Sequence, residues 1–450
     1  VWEGVRRSIV ANRLRQQHAL VADGMERLYA DNIEPHRSAV AHHCAAAGRL
    51  LDAARYALTA GERCRQQHLL SEAASSWQRG IRWLESAQRS GEDPSACQAL
   101  SGELWLQYGR VSTLLGDHAA AERWLMLAQE LGSDTADAEL EAQSSLWLGR
   151  MYRATGRGVL ARAHLDAALQ ASYASTMPAP LGAVAWRSRV AVEALEILGM
   201  MQQEQGATAA AAGRFQLALQ IAGSDDGLAA RAMMGLAGRH VRAGETPEAL
   251  ALLDSAQQRA ERSHDRILLG RVINAIGIAH YYAADYSAAL EHFRRSVEIR
   301  QGLGYRSGVV VNYHNIGDAY LRMGDMGRAW AAFQRSRDLA RAMGWSSGES
   351  LNEPFIAFIE GLPKTGQGED IEAKAAARAR MVAAAAAAAK LSDLEMGVSA
   401  RWLLGRLLAA HGELDAAQRE LEEALSAAQE VGVRPLIRDV LASLEAIGAR

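Results

Sequence analysis

Residues 344–348 (GWSSG) match the G-x-S-x-G pattern that presents a nucleophilic serine in many hydrolases. In those enzymes a strand precedes the serine, and the sharp strand-to-helix turn exposes its hydroxyl group. Here a helical apolar pattern runs up to Met343, and the segment falls where a connection between two helices is due. We therefore interpret Ser346 as a turn residue without nucleophilic function.

Two other segments carry residue types that can hold a ligand. Residues 361–366 (GLPKTG) begin like a phosphate-binding loop, but Gln367 and Gly368 stand where such a loop requires Lys and Ser or Thr, so we expect a flexible loop. On a helix the rings of His42 and His43 would point about 100° apart, and no third ligand is nearby in sequence. We expect one packed and one exposed histidine. Because the chain also has no HExxH pair and no clear catalytic triad pattern, we expect no enzyme activity, no metal and no cofactor.

The composition narrows the class of partner. The net charge is −3, from 49 Lys and Arg against 52 Asp and Glu, so no strong basic field would attract nucleic acid or an anionic membrane. No apolar run approaches the ~18 residues of a membrane span. Cys44, Cys64 and Cys97 form an odd, scattered set without CxxC spacing, which indicates free thiols in a reducing, cytoplasmic compartment.

A repeated sequence pattern indicates which secondary-structure elements the chain forms. Gly277 and Gly317 lie forty residues apart, and each is followed by Ala and then Phe at matching offsets, Ala289 and Phe293 after the first glycine. Two helices cross closely only where one of them presents Gly or Ala, and a large side chain such as Phe then fills the adjacent gap. The pattern therefore predicts pairs of antiparallel helices, and abundant Ala, Leu, Arg, Glu and Gln favour an all-α chain.

This pattern resembles the tetratricopeptide (TPR) repeat. The resemblance implies a right-handed superhelical solenoid of about nine to ten units, some degenerate, with a concave groove lined mainly by the first helix of each pair. We divide the chain into an N-terminal helical cap or junction (1–38), two degenerate units (39–94), a regular array (95–343), a degenerate or inserted helical unit with a flexible loop (344–395), and a final unit with a capping helix (396–450). Because the chain begins without Met, we expect it to be a piece of a larger protein.

Groove residues can be selected by their distance from the glycine position of each first helix. Residues six and three before it, and one, four and five after it, should face the concave side. In the central units this rule selects Arg150, Arg153, Glu193, Glu196, Met200, Gln203, Arg231, Met234, Arg242, Arg271, Asn274, Tyr281, Tyr282, His314, Asp318 and Arg322. Such a mixture can hydrogen-bond a peptide backbone and also bury side chains. The richest part lies around Gly277 and Gly317, where we expect a binding hot spot.

Two further resemblances concern function. Long-unit TPR domains of bacterial signalling proteins and of LGN-type scaffolds carry an Asn two residues before the glycine, which holds an extended peptide backbone; Asn315 matches it, while Ala275 does not. Residues 13–18, 21–26, 39–43 and 45–48 resemble the join between an NTPase module and a TPR region in STAND-type regulators, which include LuxR-like activators, ATPase-linked cyclases and Ser/Thr kinases. In that family the TPR region is a sensor, and any NTPase, cyclase or kinase lies elsewhere in the polypeptide.

These resemblances imply a non-catalytic sensor domain that binds a protein or an extended peptide in its groove. The alternatives are a free-standing adaptor that links two proteins and a domain that binds a small inducer. The sequence indicates neither direct nucleic-acid binding nor membrane association.

A serine-reactive probe tests the first interpretation. A fluorophosphonate should leave Ser346 unlabelled, because a helix-connecting turn supplies neither a base nor an oxyanion hole. Intact mass and peptide mapping after incubation measure the labelling, with a known serine hydrolase as the positive control. Stoichiometric labelling at Ser346 would contradict the interpretation.

Overall fold

The computed structural model describes residues 2–67, 69–173, 181–363, 371–388 and 394–448. Within these ranges every regular element is a helix, so the predicted all-α class is confirmed for the part of the chain that is described. The helices form two compact units, Val1–Met151 and Tyr152–Arg450. None of the described helices is long and apolar enough to cross a membrane.

The first unit contains the N-terminal helices. Two short 3₁₀ turns, Ala30–Asn32 and Glu34–His36, separate the first two of them. The α-helices are α1 (Trp2–Leu28), α2 (Arg37–Ala47), α3 (Leu50–Gln66), α4 (Leu70–Arg89), α5 (Pro94–Leu115), α6 (His118–Asp134) and most of α7 (Ala138–Ala154). Helix α2 packs between α1 and α3, and the closest partners are α3 with α4 and α5 with α6.

The second unit continues the helix pairs. Its helices are α8 (Gly158–Tyr173), α9 (Leu181–Glu204), α10 (Thr208–Ala222), α11 (Asp226–Ala243), α12 (Thr246–Arg262), α13 (Arg266–Tyr282), α14 (Tyr286–Gly302), α15 (Arg306–Arg322), α16 (Met326–Ala342), α17 (Ser346–Ser350), α18 (Glu353–Gly361), α19 (Ile371–Ala388), α20 (Leu394–Ala410), α21 (Leu414–Val431) and α22 (Arg434–Gly448). Each odd-numbered helix from α9 to α15 packs mainly on the helix that follows it, and α20 does so on α21.

Aspartates mark the starts of many helices. Asp265 accepts a hydrogen bond from the backbone N–H of Leu268 at 2.9 Å, and Asp285 and Asp325 cap α14 and α16 in the same way. Such a side chain satisfies one of the backbone donors that a helix leaves unpaired at its first turn. These caps stabilise the first turns of α13, α14 and α16.

The close crossing predicted from the sequence is present in the helix pairs. A Cβ atom placed on Gly277 would lie 2.6 Å from the ring of Phe293, and one on Gly317 would lie 2.8 Å from Phe333. Both phenylalanines are fully buried. Since no side chain fits between helix and ring at these distances, glycine is required there, and the packing role assigned to Phe293 and Phe333 is confirmed.

A crossing with the same spacing also lies in the stretch that the sequence analysis divided into two degenerate units, 39–94. A Cβ on Gly61 would lie 2.4 Å from the indole of Trp77, which is 0% exposed, and Trp77 lies the same sixteen residues after its glycine. Helices α3 and α4 therefore form a pair in the regular register. The indole N–H also donates to the carbonyl of Leu58 at 3.0 Å, which a phenylalanine could not do.

The irregular region after Met343 is helical where it is described. Gly344 has φ 66° and forms a turn, and Ser346 begins α17, so the GWSSG segment lies in a helix–turn–helix context. The helical interpretation of the alanine run is confirmed up to Ala388. Of the loop expected at residues 361–366, Gly361 is the last residue of α18, and residues 364–366 lie outside the described residues.

A paired substitution tests the crossing. Gly277→Ala should destabilise the fold by about 1–3 kcal/mol, because its methyl group would overlap the Phe293 ring. In the α11–α12 pair the equivalent positions hold Ala237 and Leu253, both buried, so Gly277→Ala combined with Phe293→Leu should recover part of the loss. Phe293→Ala alone should cost about 3–5 kcal/mol. Urea denaturation followed by circular dichroism gives the free energies, and strictly additive losses in the double variant would contradict the proposed contact.

Candidate functional site on the inner helices

Side chains from α9, α11 and α13 meet in a cluster of opposite charges. Arg231 on α11 approaches Glu196 at 3.4 Å and Glu193 at 3.7 Å, both on α9. Arg271 on α13 also pairs with Glu196, across the face of α11. An ion pair between α9 and α13 requires the first helices of successive pairs to face a common side. We call the surface that α9, α11, α13 and α15 form on this side the inner surface.

The charges of this cluster are balanced by its own members. Glu196 is 1% exposed, and burial of an unpaired carboxylate would cost several kcal/mol. Burial opposes the charge of Arg231, but Glu193, Glu196 and Asp265 outweigh it and raise the pKa of Arg231. Arg231 therefore stays charged, and its ion pairs, together with that of Arg271, connect α9, α11 and α13.

Two predicted residues, Asn274 and Asn315, belong to a buried hydrogen-bond ladder whose other members the sequence analysis did not select. Asn312 is 0% exposed, donates to Asn274 at 2.8 Å and accepts from Arg300 at 2.7 Å. Asn315 also donates to Asn274, at 3.0 Å. Ser296 donates to the Gly270 carbonyl at 2.7 Å and bridges α14 to α13. Asn274 and Asn315 thus bond to each other between repeats, where the sequence analysis had them bonding to a partner.

Part of the ladder recurs forty residues later, where Ala340 stands in place of Arg300. Ser336 donates to the Val310 carbonyl at 2.8 Å and accepts from Asn352 at 2.9 Å. Asn352 lies 3.1 Å from the Nδ1 atom of His314, which occupies the position of Asn274 in the previous repeat. His314 is 8% exposed and stacks edge-on against Phe355, so it belongs to the scaffold.

A buried arginine completes the ladder. Arg300 is 4% exposed and donates to the Gly308 carbonyl and to Asn312, both at 2.7 Å. Glycines make room for it, since a Cβ on Gly308 would lie 2.8 Å from its side chain. Burial lowers the pKa of Arg300 to about 10. Its neighbours must therefore supply oxygen acceptors, and Asn312 is the side chain that does so.

The C-terminal helices contact three further predicted residues. Arg242 on α11 pairs with Glu395 of α20 at 2.7 Å, and the hydroxyl group of Tyr282 on α13 donates to the same carboxylate. Arg322 on α15 pairs with Asp439 of α22 and stacks on Trp402 with its guanidinium 4.2 Å from the ring centroid. The expected hot spot around Gly277 and Gly317 is thus covered by α20 and α22.

The two tyrosines at this place are held in their neutral form. Tyr281 donates to Asp318 at 2.6 Å, and its ring lies edge-on to that of Tyr282 at 5.2 Å. Burial, followed by the carboxylates of Asp318 and Glu395, raises the pKa of both Tyr281 and Tyr282 well above the ordinary value. Their hydroxyl groups therefore act as hydrogen-bond donors to carboxylates.

The other predicted residues lie apart from these contacts. Arg150 belongs to the first unit and stacks on Trp147 at 4.7 Å. Arg153 pairs with Glu204 near the end of α9, and Met200 is half-buried on the same helix. The structure therefore brings most of the predicted set together, in two polar clusters and a ladder.

The pair His42 and His43 lies beside a third histidine that is distant in the sequence. The Nδ1 atom of His18, on α1, lies 2.8 Å from the Nδ1 atom of His43, and His42 is exposed beside them. Burial and the neighbouring histidines lower the pKa of His43. Among the described residues, no group of three or more His, Cys, Asp or Glu has the geometry to hold a metal ion.

Two family profiles match the part of the chain that forms the ladder and most of the inner surface. Residues 228–302 and 311–342 match two sequence profiles of the tetratricopeptide repeat. This chain contains tetratricopeptide repeats. The matched residues cover α11 to α16, which are the helices that carry the ladder and most of the inner surface. A search of curated protein sequences gave no match.

Several solved structures resemble this TPR chain. A Rap protein in complex with competence and sporulation factor shares 14% identity over 79% of this chain and 98% of its own, with a TM-score of 0.47. Aspartyl phosphate phosphatase F from Bacillus subtilis shares 12% identity over 78% and 93%, with a TM-score of 0.41. A STAND protein with a TPR sensor from Pyrococcus horikoshii shares 10% identity over 83% of this chain and 54% of its own, with a TM-score of 0.40.

The sequence analysis missed the residues that cover the inner surface. Trp402 and Arg406 stand three before and one after Gly405, so the selection rule applied to the last TPR unit would have found both. Arg406 lies over the Trp402 ring at 4.7 Å. Glu395 and Asp439 lie outside the rule, and no local spacing signals them.

The ladder can be tested by comparing two asparagines. Asn312→Ala should lower the free energy of unfolding by about 1–3 kcal/mol, because Arg300 and Asn274 would each lose a buried partner. Asn315→Ala is the matched control: it loses one bond to Asn274 at a half-buried position, and its cost should stay below that of Asn312→Ala. Chemical denaturation of both variants measures the difference, and equal losses would contradict the role given to Asn312.

Proposed function

We propose that this chain is a non-catalytic sensor and interaction domain of a larger bacterial signalling regulator, and that its second unit binds a protein or an extended peptide on the inner surface. The observation that carries the proposal is that the TPR match at residues 228–342 coincides with the helices whose polar and aromatic side chains converge. Stacked TPR units present an extended surface of this kind to a partner chain.

The geometry supports binding of a peptide-like partner. Arg242, Arg271 and Arg322 can each bond a carboxylate, while Tyr281 and Tyr282 offer rigid aromatic area at a low cost in conformational entropy. All five side chains stand on packed helices, so they are already positioned. The buried ladder beneath them keeps these helices rigid.

The placement within a regulator rests on the resemblance of residues 13–48 to STAND-type junctions. A cytoplasmic location fits the cysteines, since Cys44, Cys64 and Cys97 are all free and two of them are buried. A free-standing adaptor is the alternative function, and an NTPase, cyclase or kinase module encoded in the same gene would distinguish the two.

Selection with a displayed library of random peptides tests the binding surface. Peptides enriched on the full chain should lose affinity by about tenfold or more when Arg242→Gln and Arg271→Gln are combined, because interface arginines are frequent hot spots. The matched control combines Arg295→Gln and Arg335→Gln, which remove the same charge from exposed positions on α14 and α16. Fluorescence anisotropy titrations measure both. Equal losses in the two variants, or a loss only in the control, would place the binding surface elsewhere.

A further inference from the structure

Helices α20–α22 contact the inner surface through charged side chains. Glu395 forms an ion pair with Arg242 and accepts a hydrogen bond from the hydroxyl group of Tyr282. Asp439 forms an ion pair with Arg322. The four side chains of these two ion pairs, those of Arg242, Arg322, Glu395 and Asp439, are between 10% and 19% exposed. Two positively charged sites on the inner surface are therefore each filled by one carboxylate from the C-terminal helices.

These ion pairs join α11 to α20 and α15 to α22. Helix α11 also makes a contact with α22, which is small compared with the packing of α11 on its own partner α12. A buried ion pair contributes little net stability, because desolvation offsets most of the attraction. Exchange of one carboxylate for another leaves that balance nearly unchanged. A second source of carboxylates can therefore replace Glu395 and Asp439 at low cost.

The charge left behind indicates what would replace them. Without α20–α22, this part of the inner surface presents Arg242 and Arg322 against the single carboxylate of Asp318, and Tyr282 has lost its acceptor. Arg322 has also lost the ring of Trp402. The uncovered surface is positively charged and partly aromatic, which suits an acidic segment and disfavours a basic one.

We propose that α20–α22 are an internal occupant of the inner surface, and that the partner is an acidic segment whose carboxylates displace Glu395 from Arg242 and Asp439 from Arg322. The chemistry of the partner rests on the proposed function. The closure by α20–α22 does not rest on it, and the two parts are tested separately.

Hydrogen exchange of the full chain tests the closure without any ligand. In the variant Glu395→Gln/Asp439→Asn, both carboxylates become neutral and the side-chain shapes are kept. Amide exchange in α20, α22 and the end of α13 should rise by about tenfold, because the closed state would then bury Arg242 and Arg322 without the carboxylates that pair with them. The control Glu422→Gln/Glu445→Gln removes two exposed carboxylates from α21 and α22 and should leave exchange unchanged. Unchanged exchange in the first variant would overturn the closure.

A displayed library of random peptides tests the partner. On the Glu395→Gln/Asp439→Asn variant, the library should enrich peptides in which Asp and Glu outnumber Lys and Arg, and these peptides should bind at least about tenfold more tightly than they bind the unaltered chain. The Glu422→Gln/Glu445→Gln control carries the same net charge and should give no such gain.

The remaining outcomes separate the two proposals. Enrichment of neutral or basic peptides that still depend on Arg242 and Arg271 would overturn the acidic partner and leave the proposed function standing. Failure to enrich any peptide on either variant would overturn the proposed function and, with it, the acidic partner. The exchange experiment would still decide whether α20–α22 close the inner surface.

Discussion

The close crossing of two helices at a glycine is the contact on which the rest of the structure depends. Sixteen residues separate Gly277 from Phe293 and Gly317 from Phe333, and the same spacing joins Gly61 to Trp77. Because a Cβ at these glycines would overlap the ring, the distance between the two helices is set by a backbone and not by a side chain. Each first helix then takes a fixed rotation, and the residues at constant offsets from its glycine point to a common side.

This constraint explains why the sequence predicts so much of the fold. Glycine and a large residue at fixed spacing report a short-range contact, and the helices between them follow from composition and from the aspartate caps. The same offsets place most of the selected residues on the inner surface as a group, because an offset from the glycine measures rotation about the helix axis. Exceptions to the repeat pattern are also confined to single positions. Ala284 has a left-handed backbone conformation, with φ 64°, at the turn position that Gly324 occupies one repeat later. The turn forms because the crossing on either side of it is fixed.

What each inner residue contacts could not be predicted in the same way. An offset shows that Asn274 and Asn315 face the same side, but whether they meet each other or a partner depends on how far adjacent repeats are rotated. The buried ladder bonds α13, α14 and α15 to one another at this point. Arg300 is a surface residue by composition alone, yet it lies in a slot made by Gly270 and Gly308, and its donors need Asn312. A long-range cause of this kind leaves no periodic trace in the sequence.

The contacts of the C-terminal helices follow from the accumulated rotation of all the repeats between α11 and α22. Small changes in rotation at each crossing add up along the array, so the place where α20 and α22 meet the inner surface is a property of the whole second unit. Polar contacts tolerate such variation better than apolar packing does, since Arg242 and Arg322 have long side chains that can reach a carboxylate over a range of distances. Because ion pairs with α20 and α22 cover the inner surface, the contact can be specific while the carboxylates that form it can be exchanged for others. The tightly packed glycine crossings hold the inner helices in place, and the looser charged contacts determine what covers them.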